Sequence, residues 1–180
     1  MASIFRGAID TPIGQMVASA TPDGLCGLEF VEPKRLDRLE ARLARWFAPY
    51  ETIDDPSFTV IEATESWLAE YFEGSCADSR LVPLDLRGTL FELRVWKKLL
   101  DVLPGSTRTY GEIARELRKP NAARAVGLAV GSNPVSIIVP CHRIVGTSGS
   151  LTGYGGGLHR KEWLLRHESR WSRDGAGRLF

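Results

Sequence analysis

The sequence predicts an α+β fold, with an N-terminal antiparallel sheet and helices followed by a mostly helical domain that contains a helix-turn-helix. Three observations carry that expectation. Short apolar runs separated by turn residues fill the first thirty positions, and segments with an apolar period near 3.6 fill most of the remainder. Charge is divided along the chain: residues 1–86 hold 7 Lys/Arg against 15 Asp/Glu, a net of −8, whereas residues 87–173 hold 15 against 6, a net of +9. A boundary near residue 86 follows, giving a sheet-and-helix domain over 1–86, a second domain over 87–170 and a C-terminal tail over 171–180.

In chain order, SIFRGAI, GQMVASA and GLCGLEF are candidate strands divided by the turn signals DTPIG and TPDG, and an antiparallel sheet is their simplest arrangement. Two amphipathic helices come next. Pro33 to Phe47 places Leu36, Leu39, Leu43, Trp46 and Phe47 on one stripe, and Phe58 to Phe72 does the same with Ile61, Thr64, Trp67, Leu68, Tyr71 and Phe72. Val82 to Thr89 reads as an extended link. The helix TLFELRVWKKLLDVLP then spaces Phe91, Val95, Leu99 and Leu103 four apart, and Pro104 and Gly105 end it. Two short helical patterns, Tyr110 to Leu117 and Ala122 to Gly131, are joined by RKPN, a turn that suits either a helix-turn-helix or a plain helical hairpin. LHRKEWLLRHE supplies the last helix.

With 180 residues, 43% hydrophobic and 25% charged, the chain is long enough to bury a real core. No apolar run approaches the roughly 18 residues that span a bilayer, and MASIFRGAID lacks the apolar centre of a signal peptide, so a cytoplasmic address is expected. Three cysteines, Cys26, Cys76 and Cys141, are odd in number and far apart, which argues against a disulfide framework. Cys26 lies in a strand pattern and Cys76 in a Gly-Ser loop, and both read as inert thiols. Cysteines and histidines show no paired ligand spacing, so no metal is expected. The basic half would gather phosphates and favour nucleic acid, or it is one of two solvated surfaces of unlike charge.

The chemistry concentrates late in the chain. AARAVGLAVG sets Ala123, Ala125 and Gly127 around Arg124, and the glycine costs about 1 kcal/mol inside a helix, which asks for a packing or contact reason. Such a smooth helix could press into a groove and insert its one long cation among the bases. In VPCHRIVG, Cys141 ends a short buried strand and begins a polar turn. A thiol of ordinary pKa, about 8.5, is a poor nucleophile at neutral pH without a base or a positive environment, for which His142 and Arg143 are candidates. Adjacent residues of a strand point opposite ways, so His142 needs the backbone to turn, or a bridging water. Glu168 follows Leu164 by four and Leu165 by three, which places a carboxylate on the buried face of the last helix. It is a candidate to orient the histidine, or an exposed helix-end glutamate. The loop LTGYGGGLH could wrap a flat ligand through its backbone but lacks a phosphate-cradling pattern. A thiol placed as Cys141 is can be packing, metal ligand or nucleophile, and a non-catalytic DNA-binding module and a thiol hydrolase both stay open.

NPVSIIVPCHRIVG, followed by GYGGGLHRKEWLLRHE and preceded by TYGEIA and ARAVG, resembles the O6-alkylguanine-DNA alkyltransferases, also called methylated-DNA–protein-cysteine methyltransferases. The match is near-continuous from Phe91 to Glu168, and looser in the N-terminal half. The resemblance implies direct-reversal DNA repair: stoichiometric, irreversible transfer of the alkyl group from O6-alkylguanine in duplex DNA to Cys141 after nucleotide flipping, with O4-alkylthymine as a second candidate substrate. It implies that His142 relays the thiol proton through a water, that Glu168 orients it, and that Asn133 holds the turn before the nucleophile. Tyr110 would rotate the nucleotide and donate toward the leaving guanine, and Arg124 would fill the stack. Ala123, Ala125 and Gly127 would face the minor groove, and Ile144, Tyr154 and Gly155 would line the guanine pocket. No cofactor, metal or membrane is implied, and the protein would be a monomer that can cluster on DNA. Ser136 and Thr152 stand where family members vary.

Overall fold

The computed structural model describes residues 1–75 and 78–174, so Cys76 lies outside the described residues. Two compact units divide the chain, one of residues 1–88 with Pro134–Ser136 and one of the remaining residues from Thr89 onward.

The first unit is built on a four-stranded sheet: β1 (Ala2–Ile9), β2 (Met16–Thr21), β3 (Gly24–Phe30) and β4 (Tyr50–Asp54), in the order β3-β2-β1-β4. The three expected strands pair antiparallel, but β4 pairs parallel with β1, Ala2 opposite Tyr50 through Arg6 opposite Asp54. The sheet is therefore mixed rather than antiparallel. Helix α1 (Pro33–Phe47) makes the crossover that a parallel partner requires. Its Leu39 and Leu43 pack with Ile4 and Cys26. Helix α2 (Thr59–Glu73) buries Ile61, Thr64, Trp67, Leu68 and Tyr71.

Strand β3 would be an exposed edge, and two irregular segments cover it. Leu25 N–H donates to Pro83 O at 2.8 Å and Asp85 N–H to Leu25 O at 3.0 Å. Further along, Leu28 N–H donates to Pro134 O and Ser136 N–H to Leu28 O, both at 2.9 Å. Gly24 permits the first approach: at φ 154° it adopts a backbone few side chains tolerate, and a Cβ there would stand 2.7 Å from Pro83 O. Burial, aided by Asp85, pushes the Cys26 thiol up to about 12, and its Sγ donates to Ser19 O at 3.2 Å, so this thiol stays protonated.

The second unit is mostly helical. Helix α3 (Leu90–Leu100) begins with Thr89 and Glu92 capping each other's backbone, as does α4 (Tyr110–Glu116) with Thr109 and Glu112. Expected to run to Leu103, α3 stops at Leu100, and Leu103 is 62% exposed rather than part of the stripe. The last turn tightens, with Asp101 N–H donating to Lys98 O and Val102 N–H to Leu99 O. Helix α5 (Ala123–Gly131) packs on α3 and α4; buried Trp96 donates its indole N–H to Ala129 O at 2.8 Å. A parallel ladder of two pairs joins β5 (Arg108–Thr109) to β6 (Ile144–Val145), which sets the first residue of α4 beside the chain just past Arg143. Helix α6 (Leu158–Asp174) continues four residues past Arg170, into the segment read as a tail.

Candidate functional site

The strand expected before Cys141 does not form. Val135 makes one isolated bridge to Leu28, residues 136–138 turn, and Ile137 takes φ 71°. A β-branched residue in that region costs about 1–3 kcal/mol. Near-complete burial of Ile137, 1% exposed, offsets it. The run is apolar because every side of it is enclosed, not because it alternates across a sheet. Cys141–Arg143 then forms one 3-10 turn, and both Cys141 and His142 are buried.

Asn133 pins this turn. Its side-chain N–H donates to Val139 O at 2.9 Å and to Cys141 Sγ at 3.2 Å. An amide donor aimed at sulfur favours the thiolate over the thiol.

His142 is fully buried, and its Nε2 lies 2.7 Å from Glu168 Oε1. Burial pushes the Glu168 carboxyl up, but His142 and Arg143 outweigh it and hold the group well below the usual carboxylate range. An ionised carboxylate only accepts, so Nε2 carries the imidazole proton. Burial lowers His142 more than Glu168 raises it, so the ring rests neutral. Nδ1 is then a bare acceptor, buried and without a partner among the described residues. A general base for a nearby thiol needs that tautomer.

Arg143, read from sequence as a possible positive neighbour of the thiol, is committed elsewhere. Its Nε donates to Glu168 Oε2 at 3.0 Å, its Nη2 to Oε1 at 2.9 Å and its Nη1 to Val102 O at 2.5 Å. Gly105 N–H adds a fourth group to Glu168 at 3.2 Å. The buried carboxylate is thereby matched by a bidentate guanidinium.

A cation whose charge the Cys141 sulfur favours is Lys161, which sequence reasoning passed over. It is fully buried, and its Nζ donates to Ile144 O at 2.5 Å and Thr152 O at 2.9 Å. Burial pushes this ammonium down while the Cys141 sulfur favours its charge, and the attraction is mutual. The signal was available: Lys161 lies three before Leu164 and seven before Glu168, on the same buried stripe of α6.

Tyr110, first residue of α4, donates its hydroxyl to Thr152 O at 3.2 Å, the carbonyl Lys161 also holds. Ile144 is buried directly after the turn, and Tyr154 and Gly155 follow Thr152 on the glycine-rich loop, where Gly157 N–H closes onto Tyr154 O at 3.0 Å. Ser136 belongs to the first unit, where its hydroxyl meets Glu29 Oε1 at 3.1 Å. On α5, Val126, Ala129 and Val130 face inward, while Arg124 and Ala125 are exposed and Ala123 and Gly127 half-buried. A Cβ at Gly127 would meet the Tyr110 ring at 3.7 Å, an ordinary contact, so packing within the chain does not demand glycine there. Among the described residues, no group of three or more His, Cys, Asp or Glu could hold a metal ion, and no helix is long and apolar enough to cross a membrane.

Two family models match the chain: the DNA binding domain of 6-O-methylguanine DNA methyltransferase over residues 90–170 and its ribonuclease-like domain over residues 4–86. The methylated-DNA–protein-cysteine methyltransferase of Mycobacterium bovis is 44% identical over 165 residues, 92% of each chain. That of Salmonella typhimurium is 40% identical, covering 93% of this chain and 97% of its own. The crystal structure of Mycobacterium tuberculosis OGT in complex with DNA is similar at a TM-score of 0.76, with 42% identity and 93% of each chain covered.

Proposed function

The chain belongs to the 6-O-methylguanine DNA methyltransferase family, and from that premise we propose that it repairs alkylated guanine in duplex DNA by moving the alkyl group onto its own Cys141. The observation that carries the assignment of Cys141 is the relay behind it: Asn133 donates to the sulfur, and His142 is held with a bare Nδ1 by an ionised Glu168. A binding module has no use for a buried carboxylate-histidine pair beside a thiol, and a hydrolase would need a water able to displace its intermediate.

In the step proposed, the Cys141 sulfur attacks the alkyl carbon of an extruded O6-alkylguanine. The S–C bond forms as the C–O6 bond breaks, and the electron pair leaves with the guanine. The thiol proton passes to His142 Nδ1 through a water, and the guanine takes up one proton, so charge balances. Glu168 steadies the transient imidazolium. Lys161 and the Asn133 amide favour the thiolate before attack. Tyr110 would exchange Thr152 O for the leaving base, and Arg124, exposed on α5, would enter the stack that the base vacates. The thioether has no good leaving group, so each chain reacts once. No cofactor enters the scheme, and the address is the cytoplasm.

Intact-mass spectrometry after incubation with O6-methylguanine duplex tests this. One added methyl per chain, mapped to Cys141, is expected, with Cys141→Ala unlabelled yet still retaining DNA. Label on Cys26 or Cys76, or continuing turnover, would overturn the assignment.

A further inference from the structure

Leu128 is 72% exposed on α5. A lone exposed leucine is ordinary; its position is what matters here. At 3.6 residues per turn, Gly131, Arg124 and Leu128 fall within a sector of about 60°, flanked by Gly127 on one side and, further off, Ala125 on the other. Gly131 faces open space, with nothing within 4 Å of a Cβ built there. The sector thus carries one cation, one branched apolar side chain and otherwise little relief.

Apart from Arg124, α5 carries no side chain able to read the donor-acceptor code of a major groove. A flat face bearing an apolar wedge beside an arginine suits the narrow minor groove instead. There the floor of an A·T pair presents only recessed acceptors, whereas a G·C pair adds the guanine 2-amino donor. That amino group projects toward an approaching side chain, and Leu128 can neither accept its hydrogen bond nor leave room for its water.

Resting on the repair reading above, we infer that Leu128 is a specificity-determining contact that makes this chain repair lesions flanked by A·T pairs faster than lesions flanked by G·C. Four residues of helix rise about 6 Å, so the sensitive pair lies within about two base-pair steps of the site Arg124 fills.

The test compares single-turnover methyl transfer to Cys141 from duplexes in which each of the neighbouring pairs is in turn A·T, G·C or inosine·C, which lacks the 2-amino group. Wild-type protein should be about tenfold slower with G·C at the sensitive pair, the penalty of a buried donor left without a partner, and inosine should restore the rate. Flanking G·C pairs also hinder base extrusion, so the decisive arm is Leu128→Ala, in which the A·T to G·C rate ratio should collapse to within about twofold. A ratio undiminished in Leu128→Ala belongs to duplex opening and overturns the inference. So does a preference that follows the thymine methyl, which lies in the major groove. Absence of methyl transfer from every duplex would instead sink the repair reading, and this inference with it.

Discussion

At the scale of single residues, two buried cations divide the work that the sequence assigned to one. Arg143 balances Glu168, while Lys161, whose charge the Cys141 sulfur favours, ties Ile144 O to Thr152 O. Lys161→Met should therefore reduce the rate at which iodoacetamide alkylates Cys141 at neutral pH about tenfold, equivalent to about 1.4 kcal/mol of lost charge stabilisation. An unchanged rate in a folded variant would leave Lys161 as a loop clasp only. The same cluster sets the acid response. Below its ordinary 6.5, His142 binds a proton in the unfolded chain but resists it in the native one, so stability falls with pH from there downward. Glu168 stays ionised in the native state below its ordinary 4.5, and a second loss begins there. Urea titrations at a series of pH values should show both, and His142→Leu should lack the first. That His142 and Glu168 meet beside Cys141 was legible because a thiol next to a histidine and a carboxylate on an apolar helix stripe are unusual patterns, whereas Asn133 came only from the family resemblance. Lys161 was not legible, because a lysine in a basic helix looks like solvated surface until the helix is seen to bury it.

Among elements, α1, α2, α4 and α5 were legible to within one residue because stripes and turn signals are local. The capping pairs that open α3 and α4 are sequence-near, Thr89 with Glu92 and Thr109 with Glu112. Thr109→Ala should cost about 1 kcal/mol and lower Tm by about 2–4 °C. Because the cap also fixes Tyr110, transfer from duplex DNA should slow in this variant. A duplex rate equal to wild type, measured well below Tm, would show that Tyr110 keeps its place without the cap. The strands were less legible. YETID is short, polar and poorly buried, and its pairing partner Ala2–Arg6 lies some fifty residues away, so nothing local marks β4. The two-residue β5 and β6 are below any periodic signal. The apolar run Ile137–Val139 failed in the opposite direction, since total enclosure imitates a buried strand.

For the molecule as a whole, connectivity outweighs sequence order. The piece Pro134–Ser136 lies between α5 and the nucleophile, yet its backbone completes the edge of β3. A fragment of residues 1–88 lacks that cover, and an unpaired sheet edge is a template for another chain. It should self-associate in sedimentation at concentrations where the full chain does not. A fragment that sediments as a single monomer with native sheet content would show that the segment 83–85 is cover enough.

The same closure also has a schedule. Ser136 and Glu29, joined by a hydrogen bond, are 107 positions apart. A ribosome adding about 5–20 residues per second would release the second of them roughly 5–20 s after the first. Until then the stretch of β3 around Leu28 stays uncovered, and Cys141 is made only after the closing piece. Cys141 thus emerges just after the scaffold's final strand contact has become available, and before α6 brings Lys161 and Glu168.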